Sequence, residues 1–390
     1  MSRSGVVGYA CAVGIMSGTS ADGADAALVT VERGLAPRRT KLIAWRHRPF
    51  TPALRARVLE AQEGTLPMRD LLALHVELGQ HAALTAADAV SAPEARGFTP
   101  EVVGMHGQTV FHDPQGKRCG VPLSIQIGEP AAVARALTCR VVSNFRMADV
   151  LEGGEGAPLV PRFDLHQFVS DQSDRVLLNL GGIANLTRLK PNAQVVDVVA
   201  FDCGAGNMLL DAIMASLGPA GSRYDDQGAE AARGRAAADV VREFLADPFI
   251  ARRPPKSAGR EEFGASYLKR FLARTTQLDL ADRLRTAVEI TAGAVAHGVA
   301  QSGSREPDEV LVSGGGAKNR TLLEAIAKAL PGSRVLTTEA LGVPVGAKEA
   351  MAFAFLAHES ISGRPGNVPS ATGARKEVVL GSVTPSPYPR

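Results

Sequence analysis

The run Gly18, Thr19, Ser20, Ala21, Asp22, Gly23, Ala24, Asp25 is made almost entirely of small and acidic residues, inside the stretch GIMSGTSADGADAA. Glycine allows the positive φ of a tight turn, and a row of backbone N–H groups with hydroxyls suits phosphate oxygens. Asp22 and Asp25 stand where a divalent cation would be held, directly or through water. The turn alone reads equally well as an ordinary hairpin, since Asp-Gly is a common hairpin signal; the density of small and acidic residues favours phosphate. A second group lies in FDCGAGNMLLDAI, where an apolar strand ends in Asp202 and Gly204, Gly206 and Asn207 lead into a helix. A carboxylate there is placed either as a general base or as a cap for the helix. A third, LVSGGGAKN, sets Gly314, Gly315 and Gly316 between an apolar strand and a helix, so that backbone approaches a flat ring or a phosphate closely.

Other polar groups stand at strand ends. HGQTVFHDP and SIQIGEP supply Gln108, Thr109 and Glu129, suited to sugar or amide hydroxyls, while His106 and His112 are six residues apart and lack the spacing of a helical metal pair. Arg146 offers a planar fork of donors to a carboxylate or phosphate, and Gly153 to Pro158 is either a second backbone cradle or a surface loop. Glu349 opens an apolar helix, where an acid is normal for the dipole unless that helix end faces a ligand.

Positioning these groups requires strands that end together. The chain opens with a meander, VVGYACAVGIM, AALVTVE and TKLIAWRHRPF, followed by a helical stretch from about Thr51 to Val90 and a short strand, EVVGMH, running into Gly107. The second half repeats this order: RVLLNL, the turn GGIAN, LTRLK, VVDVVAFD, helices, then EVLVSGGG. The repetition predicts an internal duplication, with an insertion at about 216–265 in the second copy. That insertion includes SRYDDQGAEAARGR and ARRPPKSAGREEF, which read as too polar and broken for core and as a segment reaching over a cleft. Two α/β lobes with mixed sheets are expected, residues 1–138 with about 370–390 forming the first and 139–369 the second, and the groove between them is the default ligand site.

The 390 residues are 45% hydrophobic and 21% charged, with a net charge of +3 and 5% aromatic residues. This balance is globular, and without a basic stripe or interleaved aromatics it gives a nucleic-acid partner no footprint. Cys11, Cys119, Cys139 and Cys203 are widely separated, which reads as a reduced, cytosolic chain, and no apolar run is long enough to span a membrane.

Ten motifs in order, SGTSADGADAALV, HGQTVFH, the NFR of 144–146, GGEGAPLVP, LNLGGIANLT, FDCGAGNMLLD, PPKSAGREEF, SGGGAKN, GAKEAMAFAFLA and PSATGA, closely resemble the anhydro-N-acetylmuramic acid kinases almost end to end. The resemblance implies an α/β, two-lobed, duplicated ribonuclease-H-like fold of the actin, Hsp70 and hexokinase type with an interlobe active-site cleft. It implies that ATP and water open 1,6-anhydro-N-acetylmuramic acid, giving N-acetylmuramic acid 6-phosphate and ADP in bacterial cell-wall recycling. By that analogy Asp202 deprotonates the attacking water, Glu349 positions sugar or water, Arg146 pairs with the lactyl carboxylate, and Gln108 and Thr109 line the sugar pocket. The turn Gly18 to Asp25 would hold the ATP phosphates with Mg²⁺ at Asp22 and Asp25; Gly204, Gly206, Asn207 and Gly314 to Gly316 would lie against the nucleotide. The family expectation is a cytoplasmic homodimer. Asn144, Cys203, Ala205 and Glu155 depart from the usual family residues, which bears on sugar preference more than on reaction class. Two other readings remain at this point, an actin- or Hsp70-like nucleotide switch and a kinase of a different sugar on the same scaffold.

Overall fold

The computed structural model describes residues 8–388. They supply the strands β1 (Tyr9–Met16), β2 (Gly23–Glu32), β3 (Thr40–Pro49), β4 (Val102–Met105), β5 (Gln108–Asp113), β6 (Leu123–Ile127), β7 (Arg140–Ser143), β8 (Arg175–Leu180), β9 (Ala184–Leu189), β10 (Val199–Gly204), β11 (Glu309–Ser313), β12 (Arg334–Thr337) and β13 (Ser382–Thr384). The chain divides into two compact units, one running to Gln167 and resuming at Ala347, the other spanning Phe168–Gly346.

In the first unit the sheet order is β13-β7-β4-β1-β2-β3, with β1, β2 and β3 antiparallel and β4 and β7 parallel to β1. In the second it is β10-β9-β8-β11-β12, with β8, β9 and β10 antiparallel and β11 and β12 parallel to β8. The order β3-β2-β1-β4-β7 therefore recurs as β10-β9-β8-β11-β12 with the same strand directions. This is the duplicated α/β, ribonuclease-H-like arrangement expected from the sequence.

Why the central strands can carry a helix so closely is written in two glycines. Gly14 in β1 and Gly104 in β4 face each other in register. A Cβ on Gly14 would overlap the Ala350 carbonyl, and one on Gly104 the Phe353 carbonyl. The paired glycines open a trough in which the helix Lys348–Ile361 lies with every residue from Ala350 to Glu359 buried. On the other face, Val13, Ile15, Val103, Met105 and Val141 pack against the alanine-rich side of the helix Met68–Val90. The single helical stretch expected over 51–90 is two helices, Pro52–Glu63 and Met68–Val90, broken where Gly64 takes φ +74° before Pro67.

Three expectations are corrected. The first unit does not end near residue 138, because β7 pairs with β4 and completes the five-strand order; the chain leaves that unit only after Gln167. It returns at Ala347 rather than about 370, because the helix Lys348–Ile361 seats on Gly14 and Gly104. The insertion is not merely a polar flap. Its Phe249 and Phe263 stack edge-to-face on each other, and its Phe244 and Phe263 stack in the same way on Tyr267 just beyond it, with Phe271 also against Phe244, inside the core of the second unit.

Candidate active-site residues

In the first unit the β1–β2 turn is held from below by Gln108. Its side chain is 1% exposed, and its amide donates from Nε2 to the Gly18 carbonyl at 3.1 Å while Oε1 accepts from the Ser17 hydroxyl at 2.6 Å. Both ends of the Gln108 amide are thus engaged by the turn, which makes it a support for the turn. Ala21 takes φ +52° at the tip, its N–H returns to the Gly18 carbonyl, and Ser20 donates to Asp22 Oδ1 at 2.9 Å. Thr19, Ser20 and Asp22 are exposed. Asp25 differs from Asp22: its Oδ1 accepts from Trp45 Nε1 at 3.0 Å and meets His47 Nδ1 at 3.1 Å, which ties β2 to β3. Burial raises its pKa, against the pull of His47.

His106 and Arg146 act together. Arg146 directs Nε (3.1 Å) and one terminal nitrogen (2.8 Å) onto His106 Nε2, and the other terminal nitrogen donates to the Gly156 carbonyl at 2.7 Å. His106 must be neutral with Nε2 unprotonated to accept them, and burial together with Arg146 pushes its pKa down to about 3. Burial also brings Arg146 down to about 10, while Glu349 and Asp149 hold it up. The guanidinium therefore keeps its charge with two neutral acceptors aligned on it. Glu349 is solvent-accessible, yet it is recessed enough that burial raises its pKa; Lys348 and Arg146 oppose this, and Asp25 and Asp22 add to it. Asp22, Asp25, Arg146 and Glu349 thus share one electrostatic neighbourhood. Thr109 sits half-buried on β5 opposite Gln126.

The second unit gathers the other group. Asp202 lies at the end of β10, where its Oδ2 accepts the Ala258 N–H at 2.7 Å and the Ser257 hydroxyl at 3.2 Å, and its own N–H reaches the Lys256 carbonyl. Burial dominates over these donors and raises its pKa to about 6. Lys256 is buried, its Nζ capped by the Phe249 and Ile250 carbonyls. The helix Gly206–Leu217 begins against the β8–β9 turn, with Asn207 N–H donating to Gly181 and Met208 N–H to Gly182. Asn207 Nδ2 donates to the Leu180 carbonyl at 3.1 Å. A Cβ on Gly206 would stand 2.5 Å from the Gly181 carbonyl oxygen, and one on Gly316 2.6 Å from Leu180 Cβ. Gly206 and Asn207 therefore pack directly on the β8–β9 turn of Gly181 and Gly182, Gly314 and Gly316 pack on the end of β8 at Leu180, and Gly204 lies against Ala294.

Sequence reasoning did not assign Gly181 and Gly182 to this group, although the duplication held the signal: they occupy the β8–β9 turn, the counterpart of the β1–β2 turn. Nor did it assign Ser257 and Ala258, which reach Asp202 through the fold of the insertion.

Comparison with known proteins decides the family. The family model for anhydro-N-acetylmuramic acid kinase matches residues 10–386. The chain belongs to that family. The anhydro-N-acetylmuramic acid kinase of Salinibacter ruber (strain DSM 13855 / M31) is 42% identical over 382 residues, covering 95% of each chain. That of Cyanothece sp. (strain PCC 7425 / ATCC 29141) is 38% identical over 378 residues, covering 95% of this chain and 98% of the relative. Among solved structures, the activator of the 2-hydroxyisocaproyl-CoA dehydratase from Clostridium difficile with bound ADPNP aligns with a TM-score of 0.42 and 13% identity, over 90% of this chain and 96% of that one. As an anhydro-N-acetylmuramic acid kinase the protein is an ATP-dependent phosphotransferase acting on an amino sugar in peptidoglycan recycling.

The residues of this kinase fit a divalent cation that arrives with the nucleotide. Mg²⁺ is commonly held by one or two carboxylates together with substrate phosphates and water. Asp22 is exposed and its carboxylate accepts from Ser20 Oγ, whereas Asp25 Oδ1 is taken by Trp45 and His47. Among the described residues there is no group of three or more His, Cys, Asp or Glu side chains arranged to hold a metal alone. No helix among them is long and apolar enough to cross a membrane.

Proposed function

We propose that Asp202 is the general base that activates water at the anomeric carbon of 1,6-anhydro-N-acetylmuramic acid, and that the oxygen released from that carbon takes the γ-phosphoryl group of ATP. The observation that carries this is the Asp202 carboxylate, held on one oxygen by Ala258 and Ser257 and raised to about 6. Such a group is ionised at neutral pH yet basic enough to take a proton, which places it near the optimum for base catalysis. In the step, a water oxygen bonds to C1 and its proton passes to Asp202. The C1–O6 bond breaks, O6 bonds to the γ-phosphorus, and the bond from that phosphorus to ADP breaks. Glu349 positions sugar or water. Arg146 receives the lactyl carboxylate, because its guanidinium is aimed by neutral acceptors and carries an unspent charge. Thr109 lines the sugar pocket, and Gln108 acts through the turn it supports.

The phosphates of ATP rest on the turn Gly18 to Asp25, and the nucleoside on Gly204 to Asn207 and Gly314 to Gly316. Mg²⁺ at Asp22, with a lesser share for Asp25, would draw charge from the transferred phosphoryl group. The same reading carries a homodimer in the bacterial cytoplasm without a nucleic-acid partner; the absent basic footprint supports the last point, and light scattering tests the first. The test of function is ADP release with Mg²⁺ and ATP, comparing 1,6-anhydro-N-acetylmuramic acid, N-acetylmuramic acid, N-acetylglucosamine and no sugar. Release that depends on the anhydro sugar is expected; equal release with and without it would defeat the substrate assignment.

A further inference from the structure

GGEGAP (153–158) and PSATG (369–373) stand out in the sequence and have no part in the steps above. Both converge on one carboxylate. Asp149, in the short helix Met147–Leu151, is fully buried. Its Oδ2 accepts the Gly156 N–H at 2.8 Å, and its Oδ1 accepts Asn367 Nδ2 at 2.8 Å and the Thr372 hydroxyl at 2.7 Å. The Gly154 N–H returns to the Asp149 carbonyl, a Cβ on Gly154 would overlap the Asp149 carboxylate, and the Glu155 N–H donates to the Thr372 carbonyl. The loop and the C-terminal segment are thus clasped around Asp149. Gly156, at φ +64°, is held by its N–H to Asp149 while its carbonyl accepts Arg146. Fixing one side of this residue sets the acceptor on the other, so the clasp determines where the guanidinium points.

We propose that Asp149 is a positioning residue for sugar binding: with Asn367 and Thr372 it pins Gly156 so that Arg146 presents its guanidinium to the anionic group of the sugar. This rests on the reading of Arg146 as the anion-binding residue. It also gives the two unassigned motifs one task, since GGEGAP supplies the pinned acceptor and PSATG one of the pins.

The test is a double-mutant cycle on the full chain, with KM and kcat for 1,6-anhydro-N-acetylmuramic acid measured for wild type, Arg146→Lys, Asp149→Asn and the double variant, alongside thermal unfolding. Asp149→Asn keeps an oxygen for Gly156 but cannot accept at every contact. Each single change is expected to raise the sugar KM on the order of tenfold, with kcat altered less. The double variant is expected to be no worse than Arg146→Lys alone, because both act through one guanidinium. Effects that multiply would make Asp149 a purely structural residue and overturn the proposal. An unchanged KM in Arg146→Lys would overturn the anion-binding reading and this proposal with it. If Asp149→Asn does not fold, Thr372→Val removes one donor while keeping the carboxylate, and the same cycle decides by the same criterion.

Discussion

Replacing Asp202, the proposed general base, should make the protein more stable, and by an amount that depends on pH. Burial raises Asp202 from 3.8 to about 6. The folded chain therefore binds that proton more tightly than the unfolded chain, and ionising the side chain works against folding. Below about pH 3.8 both states are protonated and there is no penalty. Between 3.8 and about 6 stability falls as pH rises, and above 6 the full penalty applies. At 1.36 kcal/mol per pH unit the gap amounts to about 3 kcal/mol, and solvent reaching the half-buried side chain reduces it, so about 1–3 kcal/mol is expected. Asp202→Asn removes the charge while an amide oxygen still accepts the Ala258 N–H. Thermal unfolding of wild type and Asp202→Asn at pH 4, 5, 6 and 7.5 reads this directly. The variant should differ little at pH 4 and gain stability progressively to pH 7.5, where its transition lies several degrees higher. A variant less stable at pH 7.5, or offset equally at every pH, would refute the reasoning that burial of an ionised Asp202 is a cost.

The pH dependence of kcat/KM should show an acidic limb near 6, with activity at pH 5 about tenfold below the plateau, because Asp202 must be ionised to take a proton. Ser257→Ala removes a donor that lowers this pKa and should move the limb to higher pH; an unmoved limb would assign it to another group, such as Glu349. Gly14→Ala forces a methyl into the Ala350 carbonyl and should lower stability by about 3 kcal/mol in chemical denaturation, with loss of kcat as the helix bearing Glu349 shifts; a loss under about 1 kcal/mol would contradict the packing described. Gly316→Ala places a methyl against Leu180 and Asn207 and should weaken ADP binding in calorimetry by tenfold or more, while unchanged affinity would remove Gly316 from the nucleotide site.

Much of the architecture was legible because strand order is a local property. The meander, the strand–turn–strand repeats and the glycine-rich strand ends are all written within short windows, and the repetition of that order predicted the duplication that the two sheets display. Boundaries were less legible because they depend on long-range pairing. Nothing within Arg140–Ser143 says that it pairs with β4, and nothing within the helix Lys348–Ile361 says that its groove is made by Gly14 and Gly104. The candidate site shows the same division. Asp202, the glycine turns and Arg146 were visible from residue type and position. Their supports were not: His106 as the neutral acceptor for Arg146, Ser257 and Ala258 on Asp202, and Gln108 spent on the turn are products of tertiary contact. The aromatic residues of the insertion were masked by the charged residues around them, and only the folded chain stacks Phe249 and Phe263 into the core, the latter against Tyr267 beyond the insertion.

The central claim is that water attacks the sugar carbon and the sugar oxygen attacks phosphorus. Turnover in ¹⁸O-labelled water, quenched before the anomeric oxygen exchanges with solvent and analysed by mass spectrometry, separates these two sites of attack. One ¹⁸O on C1 of the product and none in its phosphoryl group is the expected result, with formation of that product abolished in Asp202→Asn. Label in phosphate, or labelled product formed at wild-type rate without Asp202, would contradict the account.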